Sequence, residues 1–292
     1  MDQRRPFRKS SEEHNARGIE LADRGWLDEA AREFRKALGE NPSDASVRSN
    51  LAMVLIQKGS HFDALLELVE ALKHDPNDPD AHYYLGSFLN AYGHELAVRE
   101  FHQALAIDSD LYEAHIHLGA LYTEKGDDAR ALEHYQKAYA IAPDDELVAY
   151  ELGSCLLERR RISEAIVHLR KLVKKNPAHI EGLVDLGIAY YLQGLYTESE
   201  SILHKVLAYN ENNIHAHYQL AKLYTRWNKR ELAALHLSLV KHVSPTDFQA
   251  WTDQEKDFFA SLNLPDLPDL QNLKDLHLHT SNTDTPLLAQ DA

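Results

Sequence analysis

The chain has a single cysteine, Cys155, in 292 residues, so no intrachain disulfide holds it together. Cys155 falls inside a helical pattern and reads as a small buried apolar residue rather than a reactive thiol. No run approaches the ~18 apolar residues that make a membrane span. The basic start, MDQRRPFRKSS, has no apolar stretch behind it and does not read as a secretory signal. The expectation is a soluble, cytoplasmic protein without membrane insertion. Positive charge is scarce as well: 31 Lys and Arg against 46 Asp and Glu leave a net charge of −15, which argues against nucleic acid or an anionic membrane as the main partner. No glycine-rich turn follows a strand pattern, and neither G-x-S-x-G nor H-E-x-x-H occurs. A non-catalytic protein with no cofactor is therefore expected.

What is present is repetition. A 34-residue pattern recurs seven times. The first copy places Gly18, Leu21, Ala30, Phe34, Ala37 and Pro42. The same slots hold Ala52, Leu55, Ala64, Leu68, Ala71 and Pro76, then Gly119, Tyr122, Ala131, Tyr135, Ala138 and Pro143. They return as Gly153, Leu156, Ala165, Leu169, Leu172 and Pro177, and as Ala221, Tyr224, Ala233, Leu237, Val240 and Pro245. Fixed-period self-similarity of this length predicts stacked helical hairpins: helix A, a tight turn, helix B, and a turn into the next unit.

Ten of the twelve glycines fall in two slots. Gly18, Gly86, Gly119, Gly153 and Gly187 sit inside helix A, where glycine disfavours a helix by about 1 kcal/mol relative to alanine. A packing reason is needed, and close approach of helix B against Ala30, Ala131 or Ala165 supplies one. Gly25, Gly59, Gly93, Gly126 and Gly194 lie where helix A should end in a left-handed cap. Asn228 suits that slot in repeat seven; Arg160 does not, and predicts a strained or differently shaped turn. Pro42, Pro76, Pro143, Pro177 and Pro245 stop helix B. Repeat three departs from the pattern, since Gly93 to Ala97 is one residue shorter than Gly25 to Ala30 and Ser109 lies in the proline region. Repeat six has Ser199 and Glu211 in the alanine and proline slots.

These residues resemble the tetratricopeptide repeat family over residues 11–247, most of the chain. The repeats are placed at 11–44, 45–78, 79–111, 112–145, 146–179, 180–213 and 214–247, behind a basic tail at 1–10. The resemblance implies an all-α solenoid of stacked antiparallel helix pairs in a right-handed superhelix, with A helices lining the concave face. Thr246-Asp247 reads as an N-cap pair. Phe248, Trp251, Phe258, Phe259 and Leu262 then recur at helical spacing, which predicts a capping helix over 248–262. Glu255 stands where another repeat would need a small residue, so the array stops there. In 263–292, Leu264, Leu267, Leu270, Leu273 and Leu276 recur every third residue, with Pro265 and Pro268 among them. That segment reads either as a flexible tail resting on the last repeat or as a linear segment that occupies a groove.

Of 18 histidines, His14, His82, His115 and His217 share the fourth position of helix A and are placed to form a ladder on successive helices. His115 and His117 point to different faces, and clustered ligands at zinc spacing are absent, so no metal site is expected. The resemblance also implies which positions face the channel: the second, fifth, ninth, twelfth and thirteenth of each repeat. Repeat one contributes Glu12, Asn15 and Asp23. The middle repeats contribute Tyr83, Ser87, Asn90, Ile116, Ala120, Tyr150, Ser154, Val184, Ile188 and Tyr191. Repeat seven contributes Tyr218, Lys222, Thr225 and Arg226. Tyrosines there provide contact area with a hydrogen-bonding tip. Lys222 and Arg226, four apart on one helix, are placed either to clamp a partner's carboxylate or to pair with nearby Asp or Glu. The Lys/Asn/Asn/Lys/Arg set with which some family members grip a C-terminal carboxylate is not matched: Asn15 and Ile19 stand where Lys and Asn are needed, and Asn50 matches alone. The expected function is an adaptor that binds a peptide or helix of a partner protein in this groove. The alternatives are self-association into a scaffold through the C-terminal tail, or a targeting subunit for a separate enzyme, as in glycosyltransferases that carry similar arrays.

Overall fold

A computed structural model describes residues 10–255 and 258. The described residues form fifteen helices: α1 (Ser11–Asp23), α2 (Leu27–Glu40), α3 (Ala45–Gln57), α4 (His61–His74), α5 (Pro79–Asn90), α6 (His94–Ile107), α7 (Tyr112–Glu124), α8 (Asp128–Ile141), α9 (Glu146–Glu158), α10 (Ile162–Lys175), α11 (Ile180–Gln193), α12 (Tyr196–Tyr209), α13 (Ile214–Arg226), α14 (Arg230–Val243) and α15 (Pro245–Gln254). The chain divides into two compact units between Val148 and Ala149, inside α9. In the first unit α1 packs on α2, α3 on α4, α5 on α6 and α7 on α8, and each B helix also meets the next A helix. The second unit repeats this, with α11 on α12, α13 on α14, and α15 closing on α14.

Helix starts are set by short polar caps. Asp44 accepts from the Val47 amide at 3.2 Å, Asp78 from Asp80 and Ala81 at 3.0 and 3.2 Å, and Asn213 from Ala216 at 2.8 Å. The turn between helices A and B is the same four times over. Gly25, Gly59, Gly126 and Gly194 take φ values of 77°, 76°, 70° and 83°. Asn228 adopts it at 57°, as its slot predicts. Arg160 adopts it too, at 59°. Its amide bonds Leu157 O at 3.0 Å and the next bonds Leu156 O at 3.0 Å, the pattern seen after Gly25 with Ala22 O and Leu21 O. The turn is therefore strained but not reshaped. Gly93 corrects the expectation for its slot. Its φ is 172°, extended rather than left-handed, and it serves as N-cap of α6. The missing residue of repeat three comes out of α5, which has 12 residues where α1 has 13, and the turn closes without a left-handed residue.

The mid-helix glycines face a different neighbour from the one the spacing suggested. A Cβ on Gly18 would lie 2.5 Å from the Phe34 ring, on Gly86 3.0 Å from Phe101, and on Gly119 2.7 Å from Tyr135. On Gly153 and Gly187 it would meet Leu169 and Leu203 at 2.9 and 2.8 Å. The opposing group is thus the large residue four after the alanine, so glycine here makes room for a ring or a branched side chain. Ser199, in the alanine slot, is fully buried and donates to Gly187 O at 2.7 Å. The carbonyl of the glycine satisfies the hydroxyl, which is how repeat six keeps a polar atom in its core.

The last helix starts earlier than expected. Ser244, rather than Thr246 or Asp247, is the N-cap of α15, and Pro245 occupies the first turn. Proline suits that position because its missing N–H is unneeded there. The helix ends at Gln254. Phe259, Leu262 and the leucines of 263–292 lie outside the described residues.

Candidate partner-binding faces

In the first unit the expected face residues cluster on α5 and α7. Tyr83 is half-buried, its ring 5.1 Å from Tyr84, 5.9 Å from Phe101 and 5.7 Å from His117. Its hydroxyl lies 3.4 Å from His117 Nε2, and His117 stacks on Phe101 with 4° between planes. Burial raises the Tyr83 phenol pKa and lowers that of His117, so both are neutral near pH 7. Ser87 and Asn90 follow on the same helix, half-buried, and Ser87 Oγ and Asn90 Oδ1 are sealed from water without a partner. Ala120 is half-buried. Ile116 corrects its expectation: at 8% exposed it is closed in by the packing around α7 and belongs to the core. Asn50 Nδ2 donates to Asn15 Oδ1 at 3.2 Å, so the one residue that matches a carboxylate grip is engaged between neighbouring A helices.

In the second unit Tyr150, Ser154, Val184, Ile188 and Tyr191 are all half-buried. The Tyr150 ring is 5.2 Å from His179, and burial pushes its pKa up to about 12. Tyr218 is not on an open face. It is 4% exposed because Trp251 lies over it at 4.5 Å and Phe258 meets it edge-on at 6.1 Å. Lys222 and Arg226 do not act as one clamp. Lys222 Nζ donates to both Glu255 oxygens at 3.0 and 3.1 Å and sits over the Tyr218 ring, while Arg226 is exposed and hydrogen-bonds Tyr191, which raises its pKa. The pairing alternative is realised for Lys222, with the capping segment supplying the carboxylate.

The fourth-position histidines do not form a ladder. Each reaches across its own hairpin to helix B: His14 Nδ1 is 2.6 Å from Glu33 Oε2, and His82 Nδ1 is 2.8 Å from Glu100 Oε2. Arg48 fills the slot in repeat two and donates to Glu67 at 2.6 Å. In repeats four and seven a second imidazole replaces the carboxylate, with His115 Nδ1 2.8 Å from His134 Nδ1 and His217 Nδ1 2.8 Å from His236 Nδ1. His217 Nε2 lies 2.8 Å from Glu211 O and must donate to that carbonyl, so its Nδ1 accepts from His236. Among the described residues no group of three or more His, Cys, Asp or Glu is arranged to hold a metal ion.

One residue escaped the positional reading. Asp185, on α11, sits beside Ser154, Tyr150 and Glu158 of α9 and Glu181 of its own helix. Its Oδ2 is sealed from water and has no hydrogen-bond partner. Burial pushes its pKa up to about 6; a hydrogen bond from Ser154 and the nearby His179 oppose the rise, and Glu158 and Glu181 add to it.

The helix pairs, their glycine-to-ring packing and the left-handed turns recur in phase along the chain. Tetratricopeptide repeat families match residues 21–86 and 87–146, and the cilia and flagella-associated protein 70 middle TPR-like domain matches residues 122–243. The chain is a tetratricopeptide repeat protein. Among curated proteins it is similar to the TPR repeat-containing protein YvcD of Bacillus subtilis (strain 168), 24% identical over 217 residues, covering 71% of this chain and 42% of that protein. The repeat protein thus spans less than half of that relative's length. Among solved structures it is similar to pilF of Pseudomonas aeruginosa, with a TM-score of 0.60 and 20% identity over 73% of this chain and 98% of the other. It is also similar to YrrB, a TPR protein with an unusual peptide-binding site, with a TM-score of 0.56 and 21% identity over 64% of this chain and 97% of that one. At these identities the structural likenesses show the fold. No described helix of the repeat protein is long and apolar enough to cross a membrane.

Proposed function

We propose that this tetratricopeptide protein is a non-catalytic adaptor, and that the A-helix face of each unit receives a peptide or helical segment of a partner protein. The observation that carries this reading is the chemistry left incomplete on those faces. Half-buried tyrosines stand beside small residues, Tyr83 with Ser87 and Tyr150 with Ser154, and polar atoms of Ser87, Asn90 and Asp185 lack hydrogen-bond partners there. A buried polar atom without a partner costs roughly 1–3 kcal/mol, and a bound chain toward which these half-buried side chains rotate recovers part of it. Small side chains leave space for a peptide backbone, and aromatic residues are frequent anchors of binding energy. The peptide-binding neighbour YrrB supports the same class of function by analogy of fold alone. Affinity capture with the full chain, followed by mass spectrometry, identifies the partner. Tyr150→Ala with Tyr191→Ala should then weaken its binding by more than about ten-fold with helix content unchanged in circular dichroism. Equal binding by this double variant overturns the reading.

A further inference from the structure

The second unit holds a carboxylate whose surroundings point to a particular ligand chemistry. Asp185 is at the sixth position of its repeat, outside the positions assigned to the face, yet the residues around it belong to those positions. Tyr150, Ser154 and Glu158 are the fifth, ninth and thirteenth of repeat five, and Glu181 is the second of repeat six. Asp185 therefore borders the face from beneath rather than lying in the core. Three features define what is missing. Ser154 is the one hydroxyl hydrogen-bonded to the carboxylate. The second oxygen, Oδ2, is shut off from water and has no donor. His179, the group of opposite sign beside it, already accepts from the Gly182 amide through Nδ1 at 3.0 Å, while Lys222 is taken by Glu255, Arg226 turns to Tyr191, and Arg161 is forked onto Glu164 at 2.7 Å. The same Tyr-x-x-x-Ser arrangement in the first unit has neutral His117 in the slot that Asp185 fills here, with Glu113 in the slot of Glu181, so the added carboxylate is what distinguishes the second unit's site.

We propose that Asp185 is a specificity-determining residue of the second unit's face and that it anchors a lysine or arginine side chain of the bound peptide, with the aliphatic stem lying along Val184 and Ile188. The inference rests on the adaptor reading above and names the chemistry that the face selects. Asp185 as a whole is half-buried, so rotation of its carboxylate toward the face lets a basic side chain supply the N–H donors it lacks, and that charge offsets Asp185, Glu158 and Glu181 together. Charge-assisted hydrogen bonds of this kind are among the strongest available at a partly buried site. The occupant is a basic side chain rather than an apolar one because an apolar group here leaves the carboxylate both dehydrated and unpaired.

The test is a selection from a random library of twelve-residue peptides, acetylated and amidated at their ends, carried out on the full chain. Three proteins are compared: wild type, Asp185→Asn and the Tyr150→Ala/Tyr191→Ala double variant. Asparagine is nearly isosteric with aspartate, and circular dichroism checks that helix content is retained. The wild type should enrich Lys or Arg at one fixed position. The asparagine variant should still retain peptides but without that enrichment, and it should bind a selected wild-type peptide about ten-fold more weakly. Wild-type peptides with no basic preference, or the same preference in the variant, would overturn the Asp185 assignment while leaving the adaptor reading in place. Failure to retain any peptide, or retention that the tyrosine double variant does not change, would overturn the adaptor reading and this assignment with it.

Discussion

Asp185→Asn has a calculable effect on stability as well as on binding. The folded carboxyl titrates near about 6 where the ordinary value is 3.8, chiefly because burial penalises the charged form. That difference corresponds to roughly 3 kcal/mol. Below pH 3.8 both folded and unfolded chains are protonated and the group contributes nothing. Between 3.8 and about 6 the unfolded chain ionises first, so stability falls as pH rises, and above 6 the full penalty persists. Asparagine removes the titration but places an NH2 where Oδ2 is sealed from water, at a cost of roughly 1–2 kcal/mol. The variant should therefore be less stable than wild type near pH 4, by about 1 kcal/mol, and more stable at pH 8 by about 1–2 kcal/mol, with the two curves crossing in between. Urea unfolding of both proteins, followed by circular dichroism at half-unit steps from pH 4 to 8, measures the difference directly. A difference that does not change with pH refutes the burial of this charge, and a variant less stable at pH 8 refutes the sign.

Other perturbations test the packing. Arg160→Gly should stabilise the second unit by about 1 kcal/mol, because glycine takes φ near +59° without the Cβ clash that an L side chain meets; an unchanged denaturation midpoint would contradict this. Gly119→Ala puts a methyl 2.7 Å from the Tyr135 ring and should destabilise by about 1–3 kcal/mol, with Tyr135→Leu in the same chain recovering most of the loss. His134 has its pKa lowered to about 4 by burial and by His115 beside it, so its neutral form stabilises the fold above pH 6.5 and that stability is lost as pH falls below it. His134→Glu rebuilds the His–Glu pair of repeats one and three, and its stability relative to wild type should rise between pH 7 and pH 5, read from thermal melts.

The hairpins were legible in the sequence because their signals are local. A left-handed cap favours glycine or asparagine, and a close crossing favours a side chain of little or no size, whatever surrounds them. Even Arg160 was visible as a misfit, although the backbone kept the turn and absorbed the strain. What a glycine faces was not legible. The opposing Phe34, Phe101 and Tyr135 sit sixteen, fifteen and sixteen residues on, and only the crossing of two helices brings them over it. The histidine pairs are likewise contacts across a hairpin, eighteen or nineteen residues apart. Tyr218 and Lys222 read as groove residues because position alone ignores what the last helix and its C-cap lay over them, Trp251 and Glu255. Asp185 was missed because nothing in composition separates a dehydrated aspartate from the many solvated ones.

The fit of glycine to ring also restricts how such hairpins are exchanged. Repeats one, three and four oppose glycine to Phe34, Phe101 and Tyr135, while repeat two has Ala52 and Leu68 in the corresponding slots. A chimera that joins α3 to α2 would drive the Ala52 methyl into an aromatic ring, and the reciprocal union of α1 with α4 would leave a void where that ring had been. Shuffling at the A–B turn is thus penalised in both directions, whereas a cut between hairpins keeps matched halves together. The hairpin, not the single helix, is the smallest piece of this chain that is transplantable without repair.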